Sequence, residues 1–454
     1  MEFDSHVRAV AQKIREIPDG ETVRVISHFD CDGICAAAIF VKTLLRSDRS
    51  FSLSFVPHLD EDYIRELACE DYNYYFFLDL GSGILDLFDI IGKTVFVIDH
   101  HEISGSGNVI HLNPHLVGVD GSKEISGSGV VYFLANELDP LLEMAHIALI
   151  GAIGDSQEQF GFTGLNEEIF KWAVKEGGVR RRKGLRIFGN YTKPLHKVLQ
   201  HSVDPYIPGV SKSERGAINF LNSLKIPIRK GGRFFFYDDL SSTQEKKLIE
   251  AVIERRSNEE KPSDVYGYTY VNPEETVPVL QDLREFSTVM NACGRLMQAS
   301  VGYGACLGSK YAKKRAVSIH QEYKGKISEA MAWFEEDTGI ISEKGYVIAN
   351  AKEKILSTLI GTVASIISYS ADYPKNTFIM TLARCPNGRQ TKISLRQTPY
   401  SQFDLREIIS EIVNEGFFGG HRMAAGALIP VSEESQVIEQ ARRVFEKYSL
   451  EESL

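Results

Sequence analysis

Cysteine is scarce in this chain and shows no metal or disulfide pattern. The 454 residues hold six cysteines, Cys31, Cys35, Cys69, Cys293, Cys306 and Cys385. No two stand in a C-x-x-C spacing, and none sits in a zinc-binding spacing. That excludes a thiolate zinc site and predicts reduced thiols. Long apolar runs are also missing. The longest, around Ile147 to Ile153, is broken by glycine and ends at Asp155, so no membrane span is predicted. The first 18 residues alternate charged and apolar side chains, as a surface helix does, rather than forming an apolar leader; this predicts a cytoplasmic protein. Positive charge does not dominate. With 51 Lys and Arg against 61 Asp and Glu, the net charge is −10. That argues against a surface coated for duplex DNA, while a local basic groove on an acidic body stays compatible.

What remains is an ordinary globular composition, 43% hydrophobic and 25% charged. The length suggests two or three domains, each able to bury a core. Residues 1 to about 160 alternate strand-like and helix-like segments. Strands are predicted at 22–27, 51–56, 74–80 and 94–98, and helices at 34–45, 61–68, 130–138 and 144–153. The strands read as near-continuous apolar runs. This is the pattern of an α/β domain with a parallel sheet.

The ends of these elements carry the chemistry. The first strand runs into Ser27-His28-Phe29-Asp30-Cys31-Asp32-Gly33. The run Tyr74 to Leu78 meets Asp79-Leu80-Gly81-Ser82-Gly83, Val95 to Ile98 meets Asp99-His100-His101, and the apolar helix from Ala145 meets Gly154-Asp155. Each alone fits a cap or a turn. Together they place His28, Asp30, Asp32, Asp79, His100, His101 and Asp155 along one rim of a sheet, where open α/β folds bind ligands. Crowded carboxylates repel one another, and a divalent cation removes that cost. Carboxylates with imidazoles and no thiolate suit Mn²⁺ or Mg²⁺ at a pair of sites, with Zn²⁺ or Fe²⁺ also compatible. Cys31, between two aspartates, is read as structural. His111 and His115 lie near Pro114 in a turn-rich segment and are read as loop histidines.

These four ordered motifs resemble those of the DHH phosphoesterase superfamily, over residues 22 to 155. The resemblance implies roles. His28 and Asp30 would hold one Mn²⁺, and Asp32, His100 and Asp155 a second, with Asp79 bridging. His101 would face the substrate phosphate, and Asp99 would orient a histidine. No ligand position departs from the pattern.

Further on, Arg180-Arg181-Arg182-Lys183 is the densest basic stretch. It fits either a rim that contacts a nucleic-acid backbone or a solvated helix end. Lys193 to Lys197, with Asp204 to Gly209, resembles the matching segment of archaeal RecJ-type exonucleases. Phe234 to Tyr237 reads as a buried strand in preference to a stacking platform. Leu283 to Met297 resembles the archaeal RecJ-like connection to a second domain, and 312–334 reads as a long linking helix. Residues from 338 alternate again. Gly416 to Gly426 contains Gly419-Gly420-His421-Arg422, and glycines before a helix let backbone N–H groups approach a phosphate. That stretch, with Ser394-Leu395-Arg396, resembles the DHH-associated C-terminal domain, implying Arg396, Gly419, Gly420 and His421 as nucleic-acid contacts.

The expected architecture is therefore α/β: a parallel-sheet DHH catalytic domain at 1–200, an inserted and linking, mostly helical region at 201–335, and a smaller α/β C-terminal domain at 336–454 across a cleft. By resemblance the activity is a single-strand-specific exonuclease on DNA or RNA, 5′→3′, acting in replication or repair, with the GINS complex as a replisome partner. The alternatives are a short-oligonucleotide or cyclic-dinucleotide phosphodiesterase and a replisome scaffold.

Overall fold

A computed structural model describes residues 2–451 apart from 203–204, 260, 338, 371, 399–402 and 414–416. The chain forms two compact units, Met1–His320 and Gln321–Leu454. The first begins α1 (Glu2–Arg15), β1 (Val23–His28), α2 (Cys31–Arg46), β2 (Phe51–Val56), α3 (Glu61–Ala68), β3 (Tyr74–Leu78), β4 (Thr94–Ile98) and β5 (Ile110–Leu112). Their five strands pair in parallel in the order β2-β1-β3-β4-β5. α4 (Gly127–Leu138), α5 (Ala145–Gly154) and α6 (Gly164–Lys175) follow.

Side chains alternate across a strand, and here both faces are covered. Phe76, Leu78, Phe96 and Ile98 join the core beneath α1, α2, α4 and α5. Tyr75, Phe77, Val95 and Val97 join a second core with Ile64 and Leu67 of α3 and with Leu85 and Phe88. This two-sided burial is why the strands read as unbroken apolar runs. α1 is amphipathic, burying Phe3, Val7, Val10 and Ile14.

The region after α6 has its own core. β6 (Arg180–Leu185), α7 (Leu195–Gln200), α8 (Glu214–Ser223), β7 (Arg229–Lys230), β8 (Arg233–Phe234) and α9 (Ser242–Arg255) lead to β9 (Tyr266–Val271). Leu185, Leu195, Val198, Leu221, Phe235 and Leu248 pack together there. The basic run is not a helix end. It is β6, paired antiparallel to β9 from Arg180–Val271 to Leu185–Tyr266. Pairing with the β-branched and aromatic residues of β9 outweighs the helical context that precedes it. The aromatic run is not the buried strand expected: only Phe234 lies in a strand, β8, and it is 40% exposed, while Phe235 and Tyr237 are buried outside it, where the chain turns into the Tyr237–Asp239 3-10 segment. α10 (Pro278–Gln281), α11 (Leu283–Arg295), α12 (Ala299–Cys306) and the 27-residue α13 (Lys310–Glu336) complete the connection.

The second unit carries β10 (Ile341–Glu343), β11 (Tyr346–Asn350), α14 (Ile360–Ser368), β12 (Phe378–Arg384), β13 (Gln390–Gln397), α15 (Leu405–Ile412), β14 (Phe417–His421), β15 (Ala424–Pro430) and α16 (Glu434–Glu451). Its six strands run β10-β11-β12-β13-β15-β14. The glycine pair does not precede a helix. Gly419 and Gly420 lie in β14, paired with Gly426 and Ala425 of β15. Gly420 has φ 136°, and a Cβ there would meet the Ala424 carbonyl oxygen at 2.2 Å, so hairpin geometry accounts for this glycine.

Candidate metal centre

The motif after β1 is tighter than an extended loop. Asp30 is the N-cap of α2, and its Oδ1 accepts the Gly33 N–H at 3.1 Å. That bond leaves Oδ2 3.1 Å from His28 Nδ1. Asp32 therefore stands inside the first helical turn, fully buried. Its Oδ1 accepts the Ser126 hydroxyl at 2.9 Å and the Ser128 N–H at 3.1 Å. Cys31 opens the helix and turns its Sγ toward the Ile150 carbonyl at 3.4 Å, away from the aspartates. Burial pushes its thiol up to about 12.

Asp79 follows β3 in the left-handed region, φ 59°, a strained conformation that clusters at functional sites. Its Oδ2 lies 3.5 Å from His28 Nδ1, and its Oδ1 lies 3.3 Å from His100 Nε2. His100 Nδ1 donates to the Gly121 carbonyl at 2.7 Å. A carbonyl can only accept, so Nδ1 carries a proton, and in the neutral ring the lone pair is on Nε2, which points inward. There it is 3.3 Å from Asp155 Oδ2 and 3.9 Å from Asp32 Oδ2. Asp99 is fully buried. Its Oδ1 takes the His101 Nδ1–H at 2.7 Å and the His100 N–H at 2.8 Å, and its Oδ2 takes the Ser82 N–H at 2.9 Å. This turns His101 Nε2 outward on a 45% exposed side chain.

The structure thus gathers all eight residues named from the sequence. Their donor atoms form three groups, each within 4.8 Å: His28, Asp30 and Asp79; Asp32, His100 and Asp155; and Asp79, Asp99, His100 and His101. His111 and His115 belong to none of these. His111 instead meets the Ser82 hydroxyl at 2.9 Å, and burial lowers it to about 4.

The electrostatics are unbalanced in a way that fits cations. Among the described residues, Asp32 Oδ2, Asp79 Oδ1 and His100 Nε2 are buried without a hydrogen-bond partner, facing one another. Such atoms are costly unless something satisfies them. Burial and the Asp79 charge push Asp32 up to about 7, and burial with the Asp32 charge raises Asp155 well above the carboxylate range. Burial opposes protonation of His28 and His100. Even so, the carboxylates of Asp30 and Asp79 raise His28, and those of Asp79 and Asp155 raise His100. Conversely His28 holds Asp30 low, and His101 holds Asp99 low, against burial. Two glycines leave room for these oxygens. A Cβ at Gly127 would lie 2.3 Å from Asp79 Oδ1, and one at Gly151 would lie 2.2 Å from Asp32 Oδ1.

Several supporting residues escaped the sequence reading. Ser126, Ser128, Ser82 and Gly121 are small polar or backbone partners with no signal of their own. Asn291 and Gly294 come from α11, more than 250 residues downstream. Asn291 Oδ1 accepts the Cys31 N–H at 3.1 Å. A Cβ at Gly294 would lie 1.8 Å from the Phe29 carbonyl oxygen, so α11 presses directly on the loop that carries Asp30.

Three family models match successive parts of the chain. The DHH family N-terminal domain matches residues 22–152, the DHH-CID domain residues 187–265 and the DHHA1 domain residues 343–448. A relative from Methanocaldococcus jannaschii, the uncharacterized protein MJ0831, is 31% identical over 331 residues, 71% of this chain and 72% of that one. The chain is a member of the DHH superfamily. Its fold is RecJ-like. RecJ from Thermus thermophilus in complex with Mn²⁺ matches 98% of this DHH chain at TM-score 0.60 and 16% identity. The chain spans 55% of the length of that RecJ. CDC45 from Entamoeba histolytica matches 98% of both chains at TM-score 0.60 and 12% identity.

In the second unit of this DHH protein, Arg396 on β13 donates from Nε to the Ser365 hydroxyl at 3.0 Å and from Nη1 to the Leu395 carbonyl at 2.8 Å. Gly361 of α14 stands beside it. A Cβ there would come within 3.3 Å of Ser394 Oγ and 3.4 Å of Arg396 Nη2. Gly419 is exposed with open space around it. The His421 side chain and Asp204 lie outside the described residues. Among the described residues, no helix is long and apolar enough to cross a membrane.

Proposed function

We propose that this protein is a metal-dependent exonuclease that hydrolyses single-stranded DNA and RNA to mononucleotides, with 5′→3′ polarity. The observation that carries the reading is the way the donors divide about Asp79. One carboxylate oxygen faces His28 and Asp30, and the other faces His100 with Asp32 and Asp155 beyond it. Donor groups on both sides, with the unpartnered Asp32 Oδ2, Asp79 Oδ1 and His100 Nε2 on the His100 side, suit two divalent ions, Mn²⁺ or Mg²⁺. His28 and Asp30 would hold one, and Asp32, His100 and Asp155 the other, with Asp79 shared. When bound, such ions supply an activated water and Lewis acidity at a phosphoryl group.

The remaining residues act on the substrate or on one another. Asp99 fixes the His101 ring through Nδ1, so Nε2 is presented to a phosphate oxygen as donor. Burial opposes its protonation, but the Asp99 carboxylate raises His101 above its ordinary value, which favours donation. The Gly121 carbonyl holds His100 in the tautomer that leaves Nε2 bare. In the second unit, Arg396 would bind a phosphate of the strand, with Gly419, Gly420 and His421 near the same strand.

The test is digestion of single strands labelled at either end, of DNA and of RNA, in Mn²⁺ and in chelator. Mononucleotides released from the 5′ end only when metal is present support the reading. Cutting confined to dinucleotides would replace it with a short-oligonucleotide phosphodiesterase. The CDC45-like fold also fits a replisome scaffold, with the GINS complex as its partner. An Asp99→Ala, His100→Ala, His101→Ala triple variant that keeps GINS binding while losing all cutting would show both roles in one chain.

A further inference from the structure

β6 separates its four basic residues onto two faces. Arg182 points toward α9, 2.8 Å from Asp238 Oδ1 and 3.3 Å from Glu245 Oε1. Arg181 and Lys183 point the other way, with Tyr270 and Tyr268 as their cross-strand neighbours. Among the described residues neither makes an ion pair with a carboxylate. They lie over aromatic rings instead. The Arg181 guanidinium is 4.5 Å from the Tyr268 ring, and the Lys183 ammonium is 4.8 Å from the Tyr266 ring. Tyr270 is buried against Phe162 and Phe170, and the rest of this face is a ladder that alternates Arg181, Tyr268, Lys183 and Tyr266, on a chain whose net charge is −10.

An exposed phenylalanine lies next to the ladder. Phe160 is 74% exposed. It is held there by its neighbours: Arg186 donates to the Gln159 carbonyl at 2.6 Å and pairs with the buried Glu158 at 2.9 Å. A Cβ on Gly161 would touch the Tyr268 ring at 3.4 Å. Phe160 follows Asp155 by only five positions, so the two Cα atoms lie within about 18 Å of each other.

We infer that the outer face of the β6–β9 ribbon is a binding track for single-stranded nucleic acid, with Arg181 and Lys183 on successive phosphates and Phe160 and Tyr266 stacking bases. This rests on the reading of the chain as a nuclease and extends that substrate site beyond the metal donors. Residues i and i+2 of a strand stand about 6.7 Å apart, which suits successive phosphates of one nucleotide strand; rings that stack bases need those bases unpaired, and that selects a single strand over a duplex. Rings with an open π-face accept any base, and cations without carboxylate partners accept phosphate without first breaking an ion pair. An acidic peptide would use the cations but leave the exposed Phe160 ring without a role.

The experiment is fluorescence anisotropy of labelled poly-dT strands in chelator, where nothing is cut, over a series of salt concentrations. Arg181→Gln with Lys183→Gln should flatten the slope of log K against log salt by about 1.4, about 0.7 for each phosphate no longer neutralised. Phe160→Ala with Tyr266→Ala should weaken binding about tenfold or more and leave the slope unchanged. A Lys171→Gln, Lys175→Gln variant on α6 serves as the charge control, and circular dichroism confirms that each variant folds. Binding that matches the wild type in both ribbon variants overturns the inference. So does poly-glutamate competing as well as an unlabelled strand, which would mark an acidic-protein surface. If the wild type binds by this pattern but shows no metal-dependent cutting, the nuclease reading fails and the track stands. If it cuts normally while the ribbon variants bind like wild type, the track alone fails.

Discussion

Asn291, on a helix of the connecting region, accepts the backbone N–H of Cys31 at 3.1 Å, at the first turn of the helix that carries Asp32. That amide is one of the donors a helix N-terminus leaves without an internal partner. Asp30 satisfies the Gly33 N–H, so the position of the loop depends on a residue far away in sequence. Asn291 is therefore placed to position the candidate metal donors.

Asn291→Leu should therefore weaken Mn²⁺ binding about tenfold or more, a loss of about 1–3 kcal/mol for an unsatisfied amide. Asn291→Asp keeps the accepting oxygen and should restore much of it. Calorimetric titration of Mn²⁺ into each variant checks this. Equal affinity in the Leu variant and the wild type would show that the contact is only structural.

Gly127→Ala should reduce metal affinity by at least tenfold, because its Cβ would lie 2.3 Å from Asp79 Oδ1. Thermal unfolding with and without Mn²⁺ separates the effects. The stabilisation given by the ion should shrink more than the stability of the metal-free chain, since ligand stabilisation follows affinity directly.

His101→Ala should leave Mn²⁺ affinity within a few fold and lower kcat about 10²–10⁴-fold. The ring is 45% exposed and is held by Asp99 through Nδ1, outside the two donor sets that meet at Asp79. Single-turnover rates at saturating Mn²⁺ decide it; an equal loss of metal affinity would place His101 among the ion's ligands.

Glu285 gives a pH signature away from the metal donors. It is 6% exposed, and its Oε1 accepts the Gly189 N–H at 2.8 Å. Burial, with the Asp282 charge, pushes its carboxyl up to about 7. A raised carboxyl means that the folded chain holds the proton more tightly than the unfolded chain. Stability is then lost as pH rises from about 4.5 to 7 and levels off above that, with a total of at most about 3–4 kcal/mol. Glu285→Gln keeps the acceptor without the charge. Denaturant melts should show the variant gaining on the wild type between pH 5 and 8, and no gain would show Glu285 ionised at little cost.

The first unit's parallel sheet and candidate donors were legible because their signal is local. Each apolar run has to stop where the backbone leaves the sheet, and the residues placed there, His28, Asp79 and Asp99 to His101, are read directly from those stops. The basic run was not legible in the same way. Four consecutive cations carry no period, so nothing local distinguishes a helix end from a strand, and only the partner β9 settles it. The glycine pair misled for a related reason. Glycine serves a helix start and a hairpin alike, and the pairing of β14 with β15 selects the hairpin.

By itself the sequence determined the parallel α/β core and the list of candidate donors, since periodicity and strand ends are properties of neighbours along the chain. The tertiary structure decided which oxygen of Asp79 faces which partner, which nitrogen of His100 is bare, and that Asn291 and Gly294 press on the first motif. Those depend on approaches between residues 260 and more positions apart, Cys31 with Asn291 and Phe29 with Gly294, which are set by packing of α5, α11 and the sheet rather than by any pattern in the chain.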